Sequence, residues 1–282
     1  MKLELPEKEK LNRKRIALFT VILIIIIIAI TVVVGVQILG NDVVNNMFGI
    51  SKIVKRTEEE KAELKVNFEN IIDNQFQDNN NYEVKKIEDD KNLIYTSYSK
   101  QEKNEKYELN VNLPYINIKN KTVQNFNNEI EKTFKGKTED ILNNPDKNAI
   151  YTVKYKAYVE NKILSVIIYS DLKQDTSAQR DIVQTFNYNL EENKELTLED
   201  TLKIYELDKK DTQKIINDDI QAEQKKSEDL IQLGYNVFSR DLNSEIYKIE
   251  NIKEYFIYNG NIYIIFAYGN TNLTTQMDIV II

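Results

Sequence analysis

Cysteine, histidine and tryptophan are absent from this chain of 282 residues, and it holds only three prolines and seven glycines. Without cysteine there are no disulfide staples and no thiolate chemistry, so any exported domain must hold together by packing and strand pairing. Without histidine the commonest general base, metal ligand and pH switch are all missing. Triads built on His or Cys, and zinc sites built on those ligands, are therefore excluded. The sparse glycines form no Gly-rich phosphate loop, and the chain carries no EF-hand calcium loop. Catalysis, where present at all, falls to carboxylates.

What the chain does have is one long apolar run. Residues Ile16 to Leu39 read IALFTVILIIIIIAITVVVGVQIL, with no charged residue among them. As a helix this run reaches roughly 36 Å, against a hydrocarbon core of about 30 Å, and it is predicted to span a membrane. A soluble core helix of that length would show a polar stripe, whereas only Thr20, Thr31, Gly35 and Gln37 interrupt this one. Before the run, six Lys and Arg stand against three Glu, a net of +3, which leaves −10 for the rest of a chain whose formal charge is −7. Arg13, Lys14 and Arg15 abut the run, so residues 1–15 are expected in the cytoplasm and the C-terminal mass outside. A cleaved signal peptide is the competing reading. Its apolar core is usually shorter and closes on small residues, which favours an uncleaved single-pass anchor at the cell membrane. An acidic outer part argues against a nucleic-acid partner, which would call for a basic face.

Residues 40–56 read as a juxtamembrane linker. From Thr57 the pattern turns helical: Thr57 and Glu60 have capping-box spacing, and Leu64, Phe68, Ile71, Ile72 and Phe76 share a face. Strands are predicted at Tyr82–Ile87, Leu93–Tyr98 and Tyr107–Leu113. A helix is predicted through Val123, Phe126, Ile130 and Phe134, with Gly136 interrupting it. Asn143-Asn144-Pro145-Asp146 is the clearest loop and the expected domain boundary. Beyond it, strands at Ile150–Val159, Ile163–Leu172 and Ile182–Leu190 precede a short helix capped by Thr197 and Asp200. A long helix from Asp208 to Leu233 follows, then a hairpin turning on Asn259-Gly260, and a last strand at Met277–Ile282. The expected fold class is α+β, with an N-terminal transmembrane helix and then two small antiparallel sheets, each packed against a helix. The domains would be residues 57–145 and 146–282.

Two stretches carry a family resemblance. LPYINIKNKTVQNFNNEIEKTF, Leu113 to Phe134, resembles the tyrosine-strand, link and helix of a domain of unknown function found outside the membrane in Gram-positive bacteria. FNYNLEENKELTLEDTL, Phe186 to Leu202, resembles the strand, turn and helix start of the domain that usually follows it. The pair is similar to the extracellular tandem domains of the lysozyme-sensing membrane anti-sigma factors of Bacillus, and to the part preceding the catalytic domain of a peptidoglycan deacetylase. The resemblance covers about residues 60–282. It implies a lysozyme-like protein or peptidoglycan as the outer ligand. The family's Gly- and His-bearing loop is here Asp171–Arg180, which has neither residue, so that loop's ligand role is not carried over. A tail of fifteen residues cannot fold into a sigma-binding domain, so direct sigma-factor binding is not expected.

The leading expectation is a membrane-anchored, non-enzymatic binding or sensing module that uses no cofactor and no metal. Exposed tyrosine gives large contact area at little entropic loss, so Tyr169, Tyr188, Tyr263 and Tyr268, with Asp171 and Asp175, are the candidate ligand-binding residues. Half-buried sheet packing is the competing reading of those tyrosines. The alternative function is a wall-modifying hydrolase using a carboxylate pair drawn from Asp171, Asp175 and Asp181. The acidic runs Glu58-Glu59-Glu60, Glu88-Asp89-Asp90 and Asp218-Asp219 read as solvated faces and helix starts.

Overall fold

Helix α1, Glu58–Ile71, starts as its sequence requires: the Thr57 side chain accepts from the Glu60 amide, and the Glu60 carboxylate accepts from the Thr57 amide. The expected continuation to Phe76 does not form. Asn74 takes a left-handed φ of 62°, its amide donates to the Tyr155 carbonyl, and its side chain accepts from the Tyr155 amide. That clasp turns the chain into strand β1, Gln75–Asp78, so Phe76 serves a sheet and not a helix. This computed structural model describes residues 56–78, 82–144 and 148–282. The proposed span and most of the juxtamembrane linker lie outside the described residues. Among the described residues no helix is long and apolar enough to cross a membrane.

Strands β2, Ile94–Lys103, and β3, Tyr107–Ile116, form a hairpin longer than the strands expected at Leu93–Tyr98 and Tyr107–Leu113. The strand expected over Tyr82–Ile87 is not one. Its end is held by a side chain, because Asn117 accepts from the Ile87 and Glu88 amides and donates to the Glu88 and Asn92 carbonyls. Helix α2, Lys121–Ile130, runs through a π-helical turn at Glu131–Lys135 into α3, Gly136–Asn143. Gly136 keeps helical angles, so the wide turn takes the place of the expected interruption.

The rest of the main sheet is β4, Ala149–Glu160, β5, Ile163–Gln174, β6, Arg180–Asn189, and the short β7, Lys194–Glu195. Its order is β2-β3-β4-β5-β6-β7, with β1 also on β4. Both β1 and β3 pair with β4 in parallel, which corrects the expectation of two small antiparallel sheets. The α2–α3 helix is the crossover that a parallel β3–β4 pair needs, so one mixed sheet takes strands from both sides of the expected domain boundary. A second sheet of three strands has the order β10-β9-β8: β8 is Tyr255–Tyr258, β9 is Asn261–Ala267 and β10 is Met277–Ile281. Helices α4, Leu198–Ile204, and α5, Lys209–Gln232, precede it, and the short α6, Gly269–Asn272, links β9 to β10.

Alternation along the strands sorts the core into layers. Val123, Ile130 and Phe134 of the crossover helix pack on Val111, Val153, Val166 and Phe186 on one face of the main sheet. On the other face, Ile167 and Val183 meet Phe68 of α1 and Phe256, Tyr263 and Ile265 of the small sheet. The far face of the small sheet, with Ile257, Ile264 and Val280, covers Leu202, Ile216 and Ile220 of α4 and α5. The outer edge of β8 pairs with side chains instead of a strand. Thr185 Oγ1 accepts from the Tyr255 amide, Asn187 donates to the Tyr255 carbonyl, and Ser165 Oγ accepts from the Ile257 amide.

A second lock joins the small sheet to α5. Arg240 is buried with Asp278 of β10, its Nε 2.5 Å from Oδ2 and Nη2 2.7 Å from Oδ1, while Nη1 donates to Ser227 Oγ on α5. Gly269 is the close approach of the fold. A Cβ there would meet the Asp181 carbonyl oxygen at 1.9 Å and the Thr274 carbonyl oxygen at 2.4 Å. Gly269→Ala is expected to lower the unfolding free energy by about 1–3 kcal/mol, read from urea denaturation, whereas Gly136→Ala, with open space around its Cβ, should not.

Candidate functional site

The sequence-predicted residues separate into three places. Tyr188, Tyr263 and Tyr268 are buried in the cores, at 0%, 1% and 5% exposure, so strand alternation sends them inward and none offers a face to a ligand. Tyr268 instead donates to Asp278 Oδ2 at 2.9 Å and shares a hydrogen bond with Tyr247. Asp175 sits in the turn after β5 with φ 44°, where its carboxylate accepts from the Asn148 amide. Tyr169 and Asp171 remain half-buried on β5, beside Asp181 of β6.

Asp171 and Asp181 are directly opposed across the β5–β6 ladder. Burial pushes the Asp181 carboxyl up to about 6; a bond from Tyr169 works against the rise, and the charges of Asp171 and Glu69 add to it. Asp171 is raised too, first by burial, with Gln179 holding one oxygen at 2.7 Å. Burial therefore lets Asp181 keep its proton into the mildly acidic range. Among the described residues no group of three or more acidic side chains is placed to hold a metal ion.

A second acidic region was not visible in the sequence. A cavity of about 430 Å³ opens between α2, β6, the β7–α4 link and the start of β8. Phe126 and Phe186 line it, stacked with centroids 4.6 Å apart, and Leu196, Ile252 and Tyr255 extend the apolar wall. Its carboxylates are Glu129, Glu195, Glu199, Glu250 and Glu254, against Lys253 as the lining cation. Glu199 is neutralised by Lys203 and Lys209, and Glu250 lies 3.6 Å from Lys209. Glu129, Glu195 and Glu254 have no ion-pair partner among the described residues.

The chain matches no family model and is similar in sequence to no curated protein. Among solved structures it is similar to a DUF3298 family protein from Pseudomonas aeruginosa PAO1. The two share 10% sequence identity over 71% of this chain and 90% of that chain, with a TM-score of 0.38.

Glu254 is the most perturbed acid of the cavity. Its Oε2 accepts from the Thr185 amide at 2.7 Å and from Thr185 Oγ1 at 3.0 Å. Burial nonetheless lifts its carboxyl to about 7, with the charge of Glu129 adding to the rise and that of Lys253 opposing it. Glu195 is raised by burial and again by Glu129. The wall also holds Gln184, whose Oε1 is buried with no hydrogen-bond partner among the described residues. These groups come from positions 126 to 255 with no motif linking them. Only the excess of Glu over Lys between Glu191 and Glu199 hinted at the site.

Proposed function

We propose that this chain is a membrane-anchored extracytoplasmic binding or sensing module, non-enzymatic, whose outer domain contacts a lysozyme-like protein or a cell-wall ligand. The observation that carries the reading is the acidic cavity, where Glu129, Glu195 and Glu254, with no ion-pair partner among the described residues, line the space beside the half-buried Phe126. Such a surface favours a positively charged partner by steering and by local field. The basic tail and the uncharged run Ile16–Leu39 supply the anchor and the orientation in this reading. The full-length chain, purified in detergent and immobilised, is expected to bind lysozyme or isolated peptidoglycan saturably, with a Kd of about 1 μM or tighter. Absence of binding to both, together with no envelope partner crosslinked in intact cells, would overturn it.

One observation favours a second reading. The opposed Asp171 and Asp181, the second holding its proton up to about pH 6, have the unequal acidity that a carboxylate-only wall hydrolase would use. Asp175, held in its turn, takes no part in that pair. Under this reading, cells carrying Asp171→Asn and Asp181→Asn show an altered muropeptide profile; an unchanged profile removes it.

A further inference from the structure

We infer that the docking of the last turn of α1 on β5 and β6 is an acid-held latch, closed while Asp181 is neutral and opened locally when Asp181, Asp171 and Glu69 are all charged. The inference goes beyond the binding-module reading and does not depend on it.

The latch joins carboxylates from three elements. Asp171 of β5 and Asp181 of β6 are directly opposed, which places their Cβ atoms about 5 Å apart on one face of the sheet. That face is the one α1 packs on: Tyr169 and Val183, each two residues along from these acids, share a cluster with Phe68 and Ile72. Glu69 stands in the last turn of α1, which carries no basic residue, so the negative end of the helix adds to a third carboxylate. Burial is the main cause of the raised acidity constants of Asp171 and Asp181, and the charge of Glu69 adds to both.

No cation answers these charges. The Arg180 guanidinium donates to the carbonyls of Gly269 and Asn270, Lys173 donates to the Ser177 carbonyl, and Lys156 pairs with Asp73. Lys154, across the ladder from Tyr169, makes no ion pair among the described residues. From β9 and β10 come Ala267 and Met277, which carry no charge, and the Thr274 carbonyl accepts from the Asp181 amide. Asp181 is 7% exposed, and its Oδ1 is buried with no hydrogen-bond partner among the described residues. Ionised, it is a buried anion beside two others, whereas the neutral acid carries only the cost of a polar group.

The sign follows from the ordinary carboxyl value of 3.8 against about 6 in the folded chain. The docked turn keeps a proton that the opened turn releases, so docking weakens as pH rises between these values and is weakest above 6. Before this turn α1 is tied to α5 by Lys61 and Lys65 on Asp219 and Glu223. After it, Asp73 holds Lys156 and Asn74 clasps Tyr155. The response is therefore a local opening around Phe68 and Glu69 that uncovers Phe68 and Tyr169, and not release of the helix.

Hydrogen exchange on the full-length chain in detergent, read at the amides of residues 66–71 and corrected for the intrinsic effect of pH, tests the latch. Protection of these amides relative to those of β9 is expected to fall about tenfold between pH 4.5 and 7.5. Asp181→Asn, which cannot ionise, should abolish the fall. Glu69→Gln, at an exposed position, leaves the core untouched and should reduce the fall to about threefold. Protection in the parent that stays level relative to β9, or a fall that persists in full in either variant, sinks the latch. If Asp181→Asn does not fold, Glu69→Gln decides alone.

Discussion

Replacing Arg240 with Met is expected to lower the free energy of unfolding by about 3–5 kcal/mol, the largest effect of any single change considered for this fold. The Arg240 side chain is 3% exposed, and its loss leaves the Asp278 side chain, 4% exposed, with the Tyr268 hydroxyl as its remaining donor. An ionised carboxylate stranded in that setting must either take up a proton or unfold its surroundings. The loss also frees Ser227 and the Glu223 carbonyl on α5, both of which accept from Nη1. A paired change, Arg240→Met with Asp278→Leu, should recover much of the loss, since apolar residues of similar volume often replace a buried ion pair without penalty. Urea denaturation of the single and double variants decides this. A single variant as stable as the parent would mean that the pair contributes nothing to the junction of α5 with β10.

The second large effect concerns pH. Glu254 ionises at about 7 in the folded chain against 4.5 as its ordinary value, mainly because it is buried. The folded form therefore holds a proton that the unfolded form has released between these two values, and stability falls as pH rises through that window. Above pH 7 the penalty is complete, on the order of 2 kcal/mol after allowance for its partial exposure. Glu254→Gln should flatten the slope between pH 5 and 7.5 and stabilise the chain above it, with the difference from the parent isolating this residue. Asp181, ionising at about 6, contributes a slope of the same sign that both proteins share. The groups facing Glu254 are Glu129 from α2, Thr185 from β6, Glu195 from β7, Glu199 from α4, Glu250, and Lys253 with Tyr255 on its own segment. Among these, Glu129 and Lys253 act on it in opposite senses. A parent protein whose stability is level from pH 5 to 7.5 would contradict this assignment.

These expectations come from contacts that join distant parts of the chain, and that is where the sequence was hardest to read. Local chemistry was legible. The capping boxes at Thr57 and Thr197 form as their spacing requires, and the hairpins turn where Asn161-Lys162 and Asn259-Gly260 take left-handed angles. The mixed α+β character and the long antiparallel run β4-β5-β6 follow from period-two alternation. The parallel partners of β4 could not be read this way, since β1 and β3 carry nothing that names a strand many residues away. Phe76 looked helical because a face of spaced apolar residues continued into it, and only Asn74, caught by Tyr155, ends that pattern. The candidate tyrosines failed for a related reason. Alternation shows that a strand has two sides but not that both of them, as at Tyr263, are covered. The acidic cavity gathers residues from five segments, so it exists only after the sheets have packed.

The seam between β3 and β4 has a consequence for how the chain comes into being. Ribosomes finish β3 and its crossover helix before β4 is made, so the twelve-residue β4 meets a partner already waiting on the flank that would otherwise stand bare. Made alone, the C-terminal half would present that flank, rich in Val and Tyr, to other chains and invite edge-to-edge association.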